Sequence, residues 1–222
     1  MIKEKKLNEI MEKLNLEANI AKKMIKLSLE GVLYDNREKL HNDILFNEEK
    51  LNNIEIKIDE KAVSFIARYQ PEATHLRTIF TIIKINNDLE RIGDLAVNIS
   101  ENFIKLNKIN NDGIISKVKT MGEKTQEMVE KSLKSFYEKK ETIAESIIEM
   151  DDEVDELEKK IIRKLVKNLK TKEKAEKNDF YYYRIAKNFE RIADLATNIC
   201  EDTIYMIRGS IIKHGKEKED EK

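Results

Sequence analysis

Apolar residues recur at spacings of three and four along most of the chain. Leu7, Ile10, Met11, Leu14, Ile20, Met24 and Leu27 set this rhythm and predict a helix from about Lys3 to Leu33. A second helix is expected from about Lys39 to Arg68. It stops at Gln70-Pro71, because proline lacks an amide donor and fits a helix best in its first turn. The third helix runs through Leu76, Phe80, Ile83, Leu89, Ile92, Ala96, Ile99 and Phe103. The polar run from Asn107 to Gly113 carries turn chemistry and no period, and predicts a boundary between two units. Beyond it the plan repeats, with helices near Ile114–Tyr137, Lys140–Leu169 and Asp179–Lys213 and a lysine-rich loop over Thr171–Asn178. Six long helices with short connections make bundles. The expected fold is therefore all-α: two tandem three-helix bundles related by an internal duplication. The first occupies residues 1–109 and the second 110–214, and the charged tail 215–222 is expected to be disordered.

The duplication is written most plainly in the third helix of each half. ERIGDLAVNISE, residues 90–101, returns one hundred positions later as ERIADLATNICE, residues 190–201. At 100° per residue, Glu90, Asp94, Asn98 and Glu101 fall within about 80° of one helix face. Ile85, Leu89, Ile92, Ala96, Ile99 and Phe103 centre roughly opposite, so the acidic stripe points away from the core that its own helix builds. Glu190, Asp194, Asn198 and Glu201 form the same stripe, backed by Ile185, Phe189, Ile192, Ala196 and Ile199. Core positions of related bundles resemble each other because packing constrains them. Outward positions are freer, and neighbours of the stripe do differ, as Asn87 against Lys187 and Val97 against Thr197. The carboxylates and amides nevertheless match in type. Like charges at i,i+4 weaken a helix, so helix stability is not what keeps them.

The second helix of each half supplies a partner stripe. Asp151, Asp155 and Glu158 share one face, and sliding the halves to align Leu51–Glu55 with Val154–Glu158 puts Glu48, Asn52 and Glu55 in the same places. If this helix lies antiparallel to the motif helix, the two stripes border one surface and four or more oxygen ligands converge. Such a set suits hard cations, Mg²⁺, Mn²⁺ or iron, rather than zinc in a thiolate cage. Carboxylates crowded in this way also repel one another until a cation neutralises them. Asn52 stands where Asp155 stands in the second half, so the first-half site carries one charge less and is expected to bind more weakly. The bland alternative is a solvated acidic face on a plain helical scaffold.

Composition narrows the class further. One proline and six glycines in 222 residues leave little material for sheets, and 42 basic residues against 43 acidic ones give no field aimed at nucleic acid or an anionic membrane. The single Cys200 cannot form an intrachain disulfide, which suits a reducing compartment. The N-terminus lacks a signal peptide's apolar core and no apolar run is long enough to span a bilayer, so a soluble cytoplasmic protein is expected.

The doubled motif closely resembles the paired signatures of the PhoU family, phosphate-specific transport system accessory proteins. Pro71, Ala73, Leu76 and Arg77 are similar to the segment before the first signature, and Glu201–Gly209 followed by His214 is similar to the family's ending. The resemblance covers roughly residues 10–214. It implies two bundles related by a pseudo-twofold axis, and a regulator rather than an enzyme. Its partners would be the Pst phosphate ABC transporter, whose uptake it restrains, and a PhoR-type sensor histidine kinase, which it keeps quiet when phosphate is plentiful. Attachment to the membrane would then be peripheral, through those partners, and a homodimer is compatible with it. The resemblance further implies multinuclear metal on surface carboxylates, iron foremost, with Mn, Mg or Zn as alternatives. The matching pairs are Glu90/Asp94, Glu190/Asp194 and Asp151/Asp155, with Glu48/Asn52 weakened by its amide. Two positions depart from the family's pattern: Leu195, where histidine is common, and His75, where an aspartate often precedes Leu-Arg.

Other residues carry less. His41, His75 and His214 do not repeat between halves and have no ligand spacing to one another, so surface and helix-end roles are expected. Cys200 aligns with Ser100 at the edge of the apolar face and reads as a small buried thiol. Tyr181–Tyr183 open the last helix and read as packing, and Arg91 and Arg191 as partners of acidic neighbours. No Gly-rich phosphate loop, nucleophile elbow or Ser/His/Asp set is present. A carboxylate-bridged di-iron enzyme, the chief catalytic rival, would need Glu-x-x-His motifs facing inward; the two such strings here, Glu38–His41 and Glu72–His75, stand near helix starts, have no counterpart in the second half, and lie apart from the acidic stripes.

Overall fold

A computed structural model describes residues 2–106, 113–171, 177–209, 212–213 and 216–217 of the chain. Six helices follow in order: α1 (Ile2–Leu33), α2 (Arg37–Tyr69), α3 (Ala73–Phe103), α4 (Ile114–Glu138), α5 (Glu141–Thr171) and α6 (Lys177–Arg208). Each of α1, α2 and α3 packs on the other two, and so do α4, α5 and α6, giving two three-helix bundles. The bundles join through α3 against α6 and α1 against α4.

The helix ends follow from local chemistry. Gln70 takes a left-handed conformation (φ 43°) and its N–H donates to the Ile66 carbonyl, closing α2 just before Pro71. Lys139 (φ 52°) closes α4 in the same way. There the Lys139 N–H reaches the Phe136 carbonyl and the Lys140 N–H the Ser135 carbonyl, the paired pattern that satisfies a helix's last acceptors. The α1–α2 turn is tied to the end of α3 by Arg37, whose Nη1 donates to the Leu106 carbonyl (2.5 Å) and Nε to the Gly31 carbonyl (3.3 Å). Gly31 is required where it stands, because a Cβ there would overlap the Phe103 ring.

The core lies where the periodicity put it. Ile85, Leu89, Ile92, Ala96, Ile99 and Phe103 are fully buried, as are Ile185, Phe189, Ile192, Ala196 and Ile199. Phe80 is the exception. It is half exposed because its neighbours Ile79, Thr81 and Ile82 take the inward positions of α3. Cys200 is buried, and burial pushes its thiol up to about 12, which leaves it a packing residue. Tyr182 is buried, while Tyr183 is exposed on the opposite side of α6.

Two boundaries differ from expectation. The last helix stops at Arg208, not near Lys213, since Gly209 takes a positive φ of 78° and turns the chain. Ile212 and Lys213 then pair antiparallel with Glu217 and Lys216, so two residues of the tail expected to be disordered sit in a short hairpin. His214 and the rest of the tail, residues 107–112 of the expected boundary and 172–176 of the second loop lie outside the described residues. Among the described residues no helix is long and apolar enough to cross a membrane.

Candidate metal centre

Helices α2 and α3 pack antiparallel: Asn86 of α3 donates from Nδ2 to the Asp59 carboxylate (2.9 Å) and the Glu55 carbonyl (3.2 Å) of α2, and Glu90, one turn further along α3, faces the earlier Glu55 and Glu48. This register faces the stripe of α2 toward that of α3. Glu90 therefore titrates above the ordinary carboxylate range, first because it is desolvated and then because Asp94, Glu55 and Glu48 surround it with like charge. Asn52 keeps its place in the row and donates from Nδ2 to the Glu48 carboxylate (2.8 Å).

Helices α5 and α6 repeat the arrangement. Asp151 is raised to about 6 by desolvation, then by Asp194, Asp155 and Glu190. Asp194 is raised to about 6 by desolvation, then by Glu190 and Asp155, with Lys187 opposing and Glu158 adding to the rise. The alignment of α2 with α5 by three residues beyond one hundred is thus borne out in space. Glu48 of α2 acts on Glu90 of α3 as Asp151, the residue at its place in α5, meets Glu190 of α6.

Not every stripe residue joins these clusters. Asn98, Asn198 and Glu201 lie further along their helices, where α3 meets α6. There a cleft of about 680 Å³ is bordered by Asp94, Asn98, Asp151, Asp194, Asn198 and Glu201, with Arg91 and Arg191 at its edges. Glu101 lines a second, smaller cleft beside Arg184, Lys187 and Arg191. The outer ends of the two stripes therefore open onto shared space between the bundles, a convergence that two separate helical wheels could not show. Arg91 itself stands 4.0 Å from Asp88, an exposed guanidinium over a buried carboxylate one turn back on its own helix.

The donor set fits a hard cation. Asp151 Oδ1, Glu190 Oε2 and Asn52 Oδ1 are buried oxygens with no hydrogen-bond partner, and all three lie within the clusters. Such atoms are costly unless something positive meets them. Among the described residues no three His, Cys, Asp or Glu side chains already close on a single point as a finished ligand set. Like charges splay when nothing binds them together. In the second half a tethered cation fills part of this role, since the Lys187 ammonium lies between Glu190 (2.8 Å) and Glu158 (3.3 Å).

One member escaped the sequence reading. Glu17 of α1 is fully buried, and its two carboxyl oxygens have no hydrogen-bond partner. It is raised to about 9, chiefly by desolvation and then by Glu55, Asp59 and Glu90, so it sits beneath the first-half cluster. A signal was available in the repeat. Glu17-Ala18-x-x-Ala21-x-x-Met24-Ile25-x-x-Ser28-Leu29 runs parallel to Met121-Gly122-x-x-Thr125-x-x-Met128-Val129-x-x-Ser132-Leu133, and it puts Glu17 where the second half has a buried methionine.

Comparison with known proteins agrees with this architecture. The PhoU domain family model matches residues 14–103 and again 118–203. The chain is 36% identical to the phosphate-specific transport system accessory protein PhoU homolog 1 of Thermotoga maritima, over 79% of this chain and 76% of that one. It is 34% identical to the PhoU homolog of Clostridium acetobutylicum, over 93% and 94% of the two chains. The crystal structure of PhoU from Pseudomonas aeruginosa superposes with a TM-score of 0.89 at 28% identity, covering 93% of this chain and 99% of that one. The phosphate transport regulatory protein PhoU of Streptococcus pneumoniae shares the fold, with a TM-score of 0.87 at 21% identity over 95% and 99%.

Proposed function

This chain belongs to the PhoU family, and we propose that it is a cation-loaded regulatory adaptor of a phosphate transport system. In this reading it negatively regulates phosphate uptake through a Pst-type ABC transporter and relays the transporter's state to a sensor histidine kinase. The observation that carries it is the pair of equivalent carboxylate clusters, one between α2 and α3 and one between α5 and α6, each with buried oxygens lacking a partner. Residues Glu48, Asn52, Glu90 and Asp94 would hold cation in the first half, and Asp151, Asp155, Glu190 and Asp194 in the second. A bound cation supplies charge neutralisation and a cross-link between neighbouring helices. The chain's own part is to hold oxygen donors in two rigid rows and present broad, charged faces, which suit reversible docking better than apolar ones do. The names of the relatives, accessory proteins of phosphate-specific transport, support the transporter as partner. The side chains gathered in the clusters are carboxylates and amides with one lysine, a set for binding and not for nucleophilic catalysis.

The test is reporter output from a phosphate-starvation promoter after deletion of the gene, in a strain with no second copy. Expression in phosphate-rich medium is expected; normal repression there sinks the regulatory reading. A second reading, a helical scaffold that works without cation, is favoured by the position of Lys187, which already neutralises part of the second cluster. Elemental analysis of the purified protein separates the two, since the scaffold would carry no stoichiometric metal.

A further inference from the structure

The two clusters are not equal, and the inequality rests on residues outside the doubled motif. In the first half a third helix contributes. Glu17 of α1 is 0% exposed, neither of its oxygens has a hydrogen-bond partner, and the charges that act on it are Glu55 and Asp59 of α2 and Glu90 of α3. The Tyr137 hydroxyl beside it, from the neighbouring bundle, is also buried without a partner. The Glu17 carboxyl thus lies on the core side of the first-half cluster, within reach of the charges of Glu55 and Glu90. In the second half the corresponding position is Met121, which is fully buried and has no donor of comparable hardness. The second half has instead gained Lys187, a positive charge where the first half has Asn87.

We propose that Glu17 is a ligand of the first-half cation site, which is therefore built from three helices and binds cation more tightly than the second-half site. This inference rests on the cation-binding reading above. It reverses the ranking that Asn52 alone predicts. Asn52 removes one negative charge relative to Asp155, but Glu17 restores it once an entering cation displaces its proton, and Lys187 subtracts one from the second half. A hard divalent or trivalent ion gains from each added carboxylate in its shell, and the buried position of Glu17 shields that attraction from solvent. A cation held by α1, α2 and α3 together would also cross-link the whole first bundle, where the second-half site can cross-link only α5 and α6.

The experiment is equilibrium titration of the full chain with Mn²⁺, following free Mn²⁺ by electron paramagnetic resonance. Two backgrounds isolate the sites: Glu190→Ala with Asp194→Ala leaves the first, and Glu90→Ala with Asp94→Ala leaves the second. Glu17→Met copies the residue of the sister repeat, so the fold should accept it, and Glu17→Gln tests charge at nearly constant shape. Both should weaken the first-half site by about tenfold or more and leave the second-half site unchanged. The unmodified first-half site should bind more tightly than the second. First-half affinity within about twofold of the parent in both variants, or a tighter second-half site, overturns the inference while cation binding itself stands. Absence of Mn²⁺ binding by the unmodified chain overturns the inference together with the reading beneath it.

Discussion

Replacing Glu17 by methionine should stabilise the metal-free protein, and the gain should grow with pH. Glu17 has an ordinary value of 4.5 when exposed and about 9 in the folded chain, raised first by desolvation and then by Glu55, Asp59 and Glu90. Between those values the folded chain holds a proton that the unfolded chain has released. Stability from this group is therefore fully present below about pH 4.5 and drains away as pH rises toward about 9. Each unit of pH in that window costs about 1.4 kcal/mol, so moving from about pH 5.5 to about pH 8 costs about 3 kcal/mol. Methionine fills a similar volume, as Met121 does at the equivalent place, and it has nothing to titrate. In urea, with a slope of about 2–3 kcal/mol per molar, the advantage of Glu17→Met should widen by about 1 M in midpoint between the two pH values. The assay is urea unfolding followed by circular dichroism in the presence of a chelator. Parallel pH dependence in parent and variant would refute the reasoning, because it would mean that Glu17 reaches solvent or a hidden partner.

Three further outcomes follow from the same geometry. Glu190→Ala with Asp194→Ala should abolish cation binding in the second half and leave helix content nearly unchanged, since both side chains face away from the core; unaltered stoichiometry by elemental analysis would count against the assignment. Lys187→Asn, which copies the first half, should tighten Mn²⁺ binding at the second-half site several-fold, because the ammonium no longer competes for Glu158 and Glu190; equal or weaker binding would show that the lysine is not in competition. Gly31→Ala should destabilise by about 1–3 kcal/mol, since the new methyl group meets the Phe103 ring at the α1–α3 contact, and an unmoved urea midpoint would show that the ring can give way.

Much of this molecule is legible in its sequence, and the reason is helical periodicity. A helix writes its buried face at fixed intervals, and with one proline and few glycines the chain offers little to interrupt the pattern. The stops were legible for the same reason: Pro71 and Gly113 each border a helix end. The pairing of α2 with α3 was legible because the carboxylate rows repeat with the fold, so a slide of one half on the other found Glu48 and Glu55 opposite Asp151 and Glu158. The end of α6 was not. Ile211 and Ile212 continue the apolar count past the turn at Gly209, and periodicity cannot tell a last helical turn from a hairpin. The clefts between the bundles were hidden too, because a helical wheel describes one helix, and the meeting of Asp94 with Asp194 depends on how α3 lies against α6.

Glu17 and Lys187 show where the repeat itself became informative. Duplicated halves that keep Glu90, Asp94, Glu190 and Asp194 alike are free to diverge around them, and each divergence changes the field at a preserved site. A glutamate in place of Met121 adds a buried acid to the first cluster, a lysine in place of Asn87 adds a base to the second, and Asn52 in place of Asp155 removes an acid from the first. None of these residues belongs to the shared motif, so a search for the motif passes over them. Their physical effect is nonetheless direct, since buried and half-buried charges a few ångströms from a cluster are screened far less than surface ones. In the second half the Lys187 ammonium meets part of the cluster's charge from within, while in the first half Asn87 stands in its place and supplies none. The two halves thus share one scaffold for oxygen donors and differ in how much countercharge is built in, so on the proposed cation-binding reading the first-half site depends more on an external ion than the second.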